Sequence, residues 1–193
     1  MDGFLFEPCD GSSLSMNRIF LGVLMLLDLV HERGLSQAHL NLANDTIFPQ
    51  CRFPVFQQVT RFSNPEAMFA VYAVMFVSLL GIIVGFYYRL FTLLYATGFW
   101  YLLIIDKSRW NNHSYLFGIL ALQSVFNDAN CCFSIDSYRL DLKNSVPKWQ
   151  YFLLRFQLFL VYFYAGVKKF DSDWLGGYSM VNLSQHWAWT PFR

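Results

Sequence analysis

Charge is what this chain has least of. Only 14% of its 193 residues are Asp, Glu, Lys or Arg, against 55% hydrophobic and 20% aromatic, an apolar excess that a soluble domain cannot hide beneath a polar surface. The few charges nearly cancel, leaving a net charge of +1 and a pI near 7.7. With no run of like charges, nothing resembles a nucleic-acid surface or a charged tail, so no nucleic-acid partner is expected. Cysteine is scarce as well. Cys9, Cys51, Cys131 and Cys132 are the four present, and none has the CxxC spacing of a zinc site or a dithiol redox motif. The adjacent pair Cys131 and Cys132 reads most simply as thiols at a membrane edge. There is no base before Arg18 and no small-residue cleavage site, so a secretory signal is not expected and insertion relies on the first span. HExxH, GxSxG and phosphate-binding glycine loops are all missing, which removes support for metalloprotease, serine hydrolase and nucleotide-binding chemistry. No metal site is expected.

What is present is apolar and arranged in blocks. Mean hydropathy is only +0.34 because polar, aromatic-rich connectors separate the hydrophobic stretches, the pattern that spanning helices produce. Five blocks stand out: Ile19–Val30, Pro65–Tyr88, Leu90–Ile105, Ser114–Phe126 and Tyr151–Val167. The second has no charge after Glu66 and is long enough to cross about 30 Å of hydrocarbon. The third follows after Arg89 alone, so the two form an antiparallel hairpin if both span. The other three are weaker, carrying Asp28, Gln123, and Arg155 with Gln157, and such helices are expected to face protein. Asp28 and Arg155 are candidate partners, the alternative being that Asp28 ends a short helix and Arg155 snorkels. The expected fold is an all-α integral membrane protein, a polytopic bundle of about five apolar segments. Residues 1–18 are expected to form an N-terminal cytosolic segment and residues 19–193 a transmembrane helical domain.

Counting five spans puts the loop between Val30 and Pro65, the DKSRWNNH loop and everything after Val167 on one membrane face. Positive charge does not decide orientation, because Lys and Arg divide almost equally between the two sets of loops. Three glycosylation sequons, at Asn44, Asn112 and Asn182, all fall on that shared face and lean it towards a lumen. The Asn112 sequon lies so close to a helix start that sugar transfer there is not expected.

Two clusters on the shared face carry chemistry. AGVKKFDSDW sets Lys168 and Lys169 at the end of the last apolar block. Paired lysines at such a place read first as juxtamembrane anchors. The functional alternative is a neutral amine, since burial and a neighbouring cation both disfavour the charged form of one member. WNNHSYLFG groups Trp110, Asn111, Asn112 and His113 at the mouth of the fourth block, either a capped helix start or the polar lining of a quinone-sized pocket.

Several motifs together carry a resemblance: GFLF, HERGLS, CRFP at Cys51–Pro54, DKSRWNNHSYLFG, VYFYAGVKKFDSDWLGGYSM and HWAWTPF. In this order and at nearly this spacing, from about Gly3 to Arg193, the chain resembles the vitamin K-dependent γ-glutamyl carboxylases. The resemblance implies an endoplasmic-reticulum membrane enzyme with its active site towards the lumen. It implies conversion of glutamate to γ-carboxyglutamate in propeptide-bearing, glutamate-rich protein substrates, with vitamin K hydroquinone, O2 and CO2 as co-substrates. The γ-hydrogen of glutamate is too weakly acidic for an amine, so the family amplifies the base. A lysine deprotonates the hydroquinone, oxygen adds, and the resulting strongly basic alkoxide takes the glutamyl proton so that CO2 can trap the carbanion, with water excluded. The family's base matches Lys169, with Lys168 beside it, and its auxiliary histidine matches His113. Asn112 and Tyr162 are the further residues expected at the hydroquinone. Cys51 matches a family cysteine that forms a disulfide with a luminal C-terminal part.

Two departures accompany the match. Cys131 and Cys132 stand where the family pattern has other residues, and family members are several times longer, so the chain reads as an N-terminal membrane portion or a short form. Two other functions compete with the carboxylase: an inactive membrane-bound binding or regulatory module, and a small transporter lined by Asp28, Gln123, Arg155 and Gln157. The transporter reading lacks an inverted repeat or interrupted helices.

Overall fold

The structure is a computed structural model that describes residues 3–32, 35, 65–105 and 111–177. Among these residues a 3-10 turn, Phe4–Phe6, precedes seven α-helices: α1 (Ser12–His31), α2 (Pro65–Val84), α3 (Tyr88–Ile105), α4 (Asn112–Phe126), α5 (Ile135–Leu140), α6 (Lys148–Lys168) and α7 (Ser172–Leu175). Two-residue strands β1 (Pro8–Cys9) and β2 (Val146–Pro147) pair. The chain divides into two compact units, Pro8–Val146 on one side and Met1–Glu7 with Pro147–Arg193 on the other. Each is described by itself.

In the larger unit, α1 packs on α2, α2 on α3 and α3 on α4. Leu14, Met25, Leu29, Met75, Leu79, Tyr95, Phe99 and Leu103 are buried between them. The outward faces are apolar too, with Phe20, Val23 and Leu24 exposed on α1, Val77 and Leu80 on α2, and Leu90 and Leu93 on α3. Helices apolar on both faces suit a bilayer, where the outer face meets lipid. Three described helices are long and apolar enough to cross a membrane: Ser12–His31, Glu66–Val84 and Tyr88–Ile105.

Four of the five expected blocks lie within single helices and the block Pro65–Tyr88 is helical as far as Val84, but only three of the described helices qualify as spans, so the face-sharing count built on five spans loses its footing. At 15 residues, α4 rises about 22 Å, short of the roughly 30 Å of hydrocarbon. With 21 residues α6 is long enough, but Lys148, Gln150, Arg155 and Gln157 dilute its apolarity. The first helix also starts earlier than expected. It begins at Ser12 rather than Ile19, so the boundary expected at residue 18 falls inside α1.

Arg18 explains that early start. Its guanidinium is buried, with 3% of the residue exposed, and it is saturated by backbone carbonyls. Nη1 donates to the Ile82 and Ile83 oxygens at 2.6 and 2.8 Å, Nε to Ala129 at 3.0 Å, and Nη2 to Phe133 at 2.6 Å. The Ile82 and Ile83 carbonyls belong to the last turn of α2, which has no further amides within the helix to satisfy them, and a cation there also complements the helix dipole. Asp136, on α5, does the converse for α3. Its carboxylate accepts from the Tyr87 and Tyr88 amides at 3.0 and 2.9 Å and from Asn130 Nδ2 at 3.2 Å.

The α2–α3 hairpin therefore turns at Gly85–Tyr87, with a cation at the helix end entering the turn and a carboxylate at the one leaving it. Gly85 has φ +70°, and a Cβ there would lie 2.3 Å from Ser134 Cβ and 2.6 Å from Arg18 Nη1. Both the backbone conformation and the space demand glycine. Arg89, expected as the connection itself, sits in the first turn of α3 and pairs with Asp128.

Candidate functional site

The lysine pair closes α6 in the smaller unit. The helix begins after Pro147, with the Lys148 ammonium paired with Glu7 and its backbone amide donating to the Glu7 carbonyl at 3.2 Å. It ends where the Lys169 amide donates to the Gly166 carbonyl at 2.9 Å. Asp171 then caps the short α7, accepting from the Ser172 amide at 2.8 Å. That turn brings the Trp174 ring beneath Lys169, whose Nζ lies 5.5 Å from the ring centroid, within range of a cation–π contact.

Helical spacing sets Tyr162, Gly166 and Lys169 on one face, since steps of four and three residues return to the same side of the helix. Tyr162 is 76% exposed, and a Cβ at Gly166 would meet nothing within 4 Å. The face is thus a bare strip of helix with a phenol at one end and an amine at the other. Beside it, Phe152, Phe156, Phe159 and Phe163 form a stacked ladder with successive centroids 5.9, 6.3 and 5.6 Å apart. Lys168 lies on a neighbouring face, and both lysines are exposed. The desolvation expected around a buried base is therefore not built by the described residues of this unit. Arg155 is also exposed on α6, so it is not the buried charge that its position in an apolar block suggests.

The second cluster opens α4 in the larger unit. Asn111 is the N-cap, its Oδ1 accepting from the Ser114 amide at 2.7 Å, while Asn112 and His113 occupy the first turn and are exposed. Asn111 thus supplies the cap of the helix start. Trp110 and Cys51 lie outside the described residues, as do the sequons at Asn44 and Asn182. His113 and Lys169 belong to different units, so the geometry reported for each is its own. The same holds for Asp28 and Arg155. Gln123 is buried, as expected of a polar residue facing protein.

Arg18 and Asp136 are the residues that sequence reasoning missed. The available signal is a base six residues into a helix that begins with the serine-rich run Ser12-Ser13-Leu14-Ser15, which reads as a polar lead-in rather than as helix. A small apolar cavity of about 20 Å³ lies beside Arg18, between Met25, Tyr88, Thr92, Tyr95 and Ser124. It has room for about one water and none for a quinone.

Apolar helices on both faces and buried polar side chains capping a hairpin turn define a polytopic helical membrane domain. Residues 6–193 match the HTTM domain, the vitamin K-dependent carboxylase transmembrane-like domain, and the chain belongs to that family. The family resemblance carried by the sequence motifs is thereby borne out. No solved structure matches the chain.

Proposed function

We propose that the chain takes part in vitamin K-dependent γ-carboxylation of protein glutamate residues, with Lys169 as the base that accepts a proton from vitamin K hydroquinone. The observation that supports this reading is the open Tyr162–Gly166–Lys169 strip, on which a flat ring can reach the Lys169 amine, in a chain that belongs to the HTTM family and carries the sequence Val167-Lys168-Lys169. Lacking a side chain at Gly166, the strip lets a flat ring approach the backbone, with Tyr162 and Trp174 offering aromatic edges. Lys168 contributes a second positive charge near the anion formed on deprotonation. His113 stabilises charge developing on the glutamyl substrate and Asn112 hydrogen-bonds the hydroquinone. The co-substrates are vitamin K hydroquinone, O2 and CO2, and the protein substrates are propeptide-bearing and glutamate-rich. The location is the endoplasmic-reticulum membrane with the site facing the lumen.

A second reading is favoured by one observation: Lys168, Lys169, Tyr162, Asn112 and His113 are all exposed, so the described residues alone leave the site open to solvent. On that reading the chain is a membrane-bound binding or regulatory module that holds an incomplete pocket. The experiment is to measure epoxidation and carboxylation by this chain in detergent beside a chimaera in which it replaces the matching domain of an active carboxylase. Activity in the chimaera supports the carboxylase reading. Silence from the chain alone beside an active chimaera selects the incomplete module, and a folded but silent chimaera overturns both proposed roles of Lys169 and His113. In the active chimaera, His113→Ala lowers carboxylation more than epoxidation, and an equal loss of both would assign His113 a structural role.

A further inference from the structure

Cys131 and Cys132 have no part in the chemistry proposed above, and their surroundings are unusual for two incidental thiols. Their sulfurs lie 3.7 Å apart in the segment joining α4 to α5. Ser15 on α1 touches both, with its Oγ 3.5 Å from Cys131 Sγ and 3.3 Å from Cys132 Sγ, and it accepts from the Cys132 amide at 3.3 Å. Asn144 Oδ1 lies 3.1 Å from Cys132 Sγ. Cys131 is buried against Gly11, where a Cβ would come within 2.3 Å of its sulfur. Cys132 is half-buried and reachable.

We infer that Cys131 and Cys132 form a reversible vicinal dithiol–disulfide switch whose co-reactant is a low-molecular-weight disulfide of the glutathione class. The asymmetry of exposure sets the order of events. The Cys132 thiolate attacks one sulfur of the external disulfide, breaking its S–S bond and releasing one external thiolate. The Cys131 thiolate, already within 3.7 Å, then attacks Cys132 Sγ and expels the second external thiolate. One S–S bond breaks and one forms, two electrons pass to the external disulfide, and the two protons lost by the cysteines end on the two external thiols. Adjacent Cα atoms are about 3.8 Å apart, below the roughly 4.4–6.8 Å of ordinary disulfides, so the eight-membered ring is strained and readily reduced again.

The switch has a structural target. Ala129 and Phe133, whose carbonyls hold Arg18 at 3.0 and 2.6 Å, flank the pair in sequence, and Phe133 already has φ +51°. Drawing the two sulfurs into a bond pulls them from Ser15 and Asn144 and reshapes the segment that supplies half of the carbonyl cradle of Arg18.

The test treats the reduced, purified chain in detergent with glutathione disulfide and maps the products by mass spectrometry. The expected product loses two hydrogens, carries no glutathione at these positions and maps to a Cys131–Cys132 bond that dithiothreitol reverses. Cys131→Ser keeps glutathione on Cys132, because the resolving thiol is gone, whereas Cys132→Ser takes up none at Cys131. Iodoacetamide labelling of the unaltered reduced protein checks the order without any variant, since Cys132 is expected to label first. Retention of glutathione by the unaltered protein, a bond to Cys9 instead, or labelling of Cys131 first would overturn the proposal. The oxidised protein is expected to melt at a lower temperature, and an unchanged melting temperature at full conversion would overturn the link to Arg18.

Discussion

At the scale of single residues, Arg18 is the side chain on which the larger unit most depends. Its guanidinium serves four carbonyls from α2 and the α4–α5 connection, and no other residue type offers a planar fork of five donors. Arg18→Met leaves these acceptors buried and unanswered, at a cost of about 3 kcal/mol or more. Thermal denaturation in detergent reads this as a large fall in melting temperature, with Arg18→Lys recovering only part of it. A fall no larger than that of an exposed substitution such as Arg155→Met would contradict the role given to Arg18. Cys131 gives a prediction with a pH signature. Burial pushes its thiol pKa up, so as pH rises through the ordinary thiol range the unfolded chain releases a proton that the native state retains. The native state then binds more protons, and stability falls with rising pH across that window. Denaturation midpoints at neutral and alkaline pH should therefore drop less for Cys131→Ser than for the unaltered protein, and equal drops would contradict the buried thiol.

At the scale of elements, the apolar blocks were legible because hydrophobic runs report helices whatever those helices pack against. The start of α1 was not. A charged residue ordinarily marks the end of an apolar segment, and Arg18 escapes that rule only because carbonyls more than 60 residues away in sequence receive it. The hairpin was legible in the short gap between blocks, although the turn falls at Gly85–Tyr87 rather than at Arg89, and the capping by Asp136 depends on α5, whose six residues carry too little pattern to place. For the site, VKK at the end of α6 and the Asn-capped start of α4 were both readable from local sequence, while the exposure of their side chains is a tertiary property that spacing does not encode. Two predictions belong here. Gly166→Ala should stabilise α6 by up to about 1 kcal/mol, since a Cβ there meets nothing, while lowering apparent hydroquinone affinity in the active chimaera. A variant with unchanged affinity would remove Gly166 from the proposed contact strip. Asn112 is the first residue of α4, and Ser114 of its sequon is buried with its amide held by Asn111. Expression in a glycosylating cell followed by glycosidase treatment should show no mobility shift that Asn112→Gln abolishes.

At the scale of the whole molecule, the chain is an HTTM-family member with a membrane-suited helical unit, and the proposed chemistry adds one named base to it. An exposed primary amine on an open helical strip is accessible to a hydroquinone hydroxyl, and the same openness makes its function replaceable from solution. The most direct measurement is vitamin K epoxidation by Lys169→Ala in the active chimaera, with and without an added small primary amine. Epoxidation is expected to be lost without the amine and to recover as amine is added, while the neighbouring Lys168→Ala keeps part of its activity unaided. Epoxidation by Lys169→Ala at the unaltered level in the absence of amine would contradict the role of Lys169 as base.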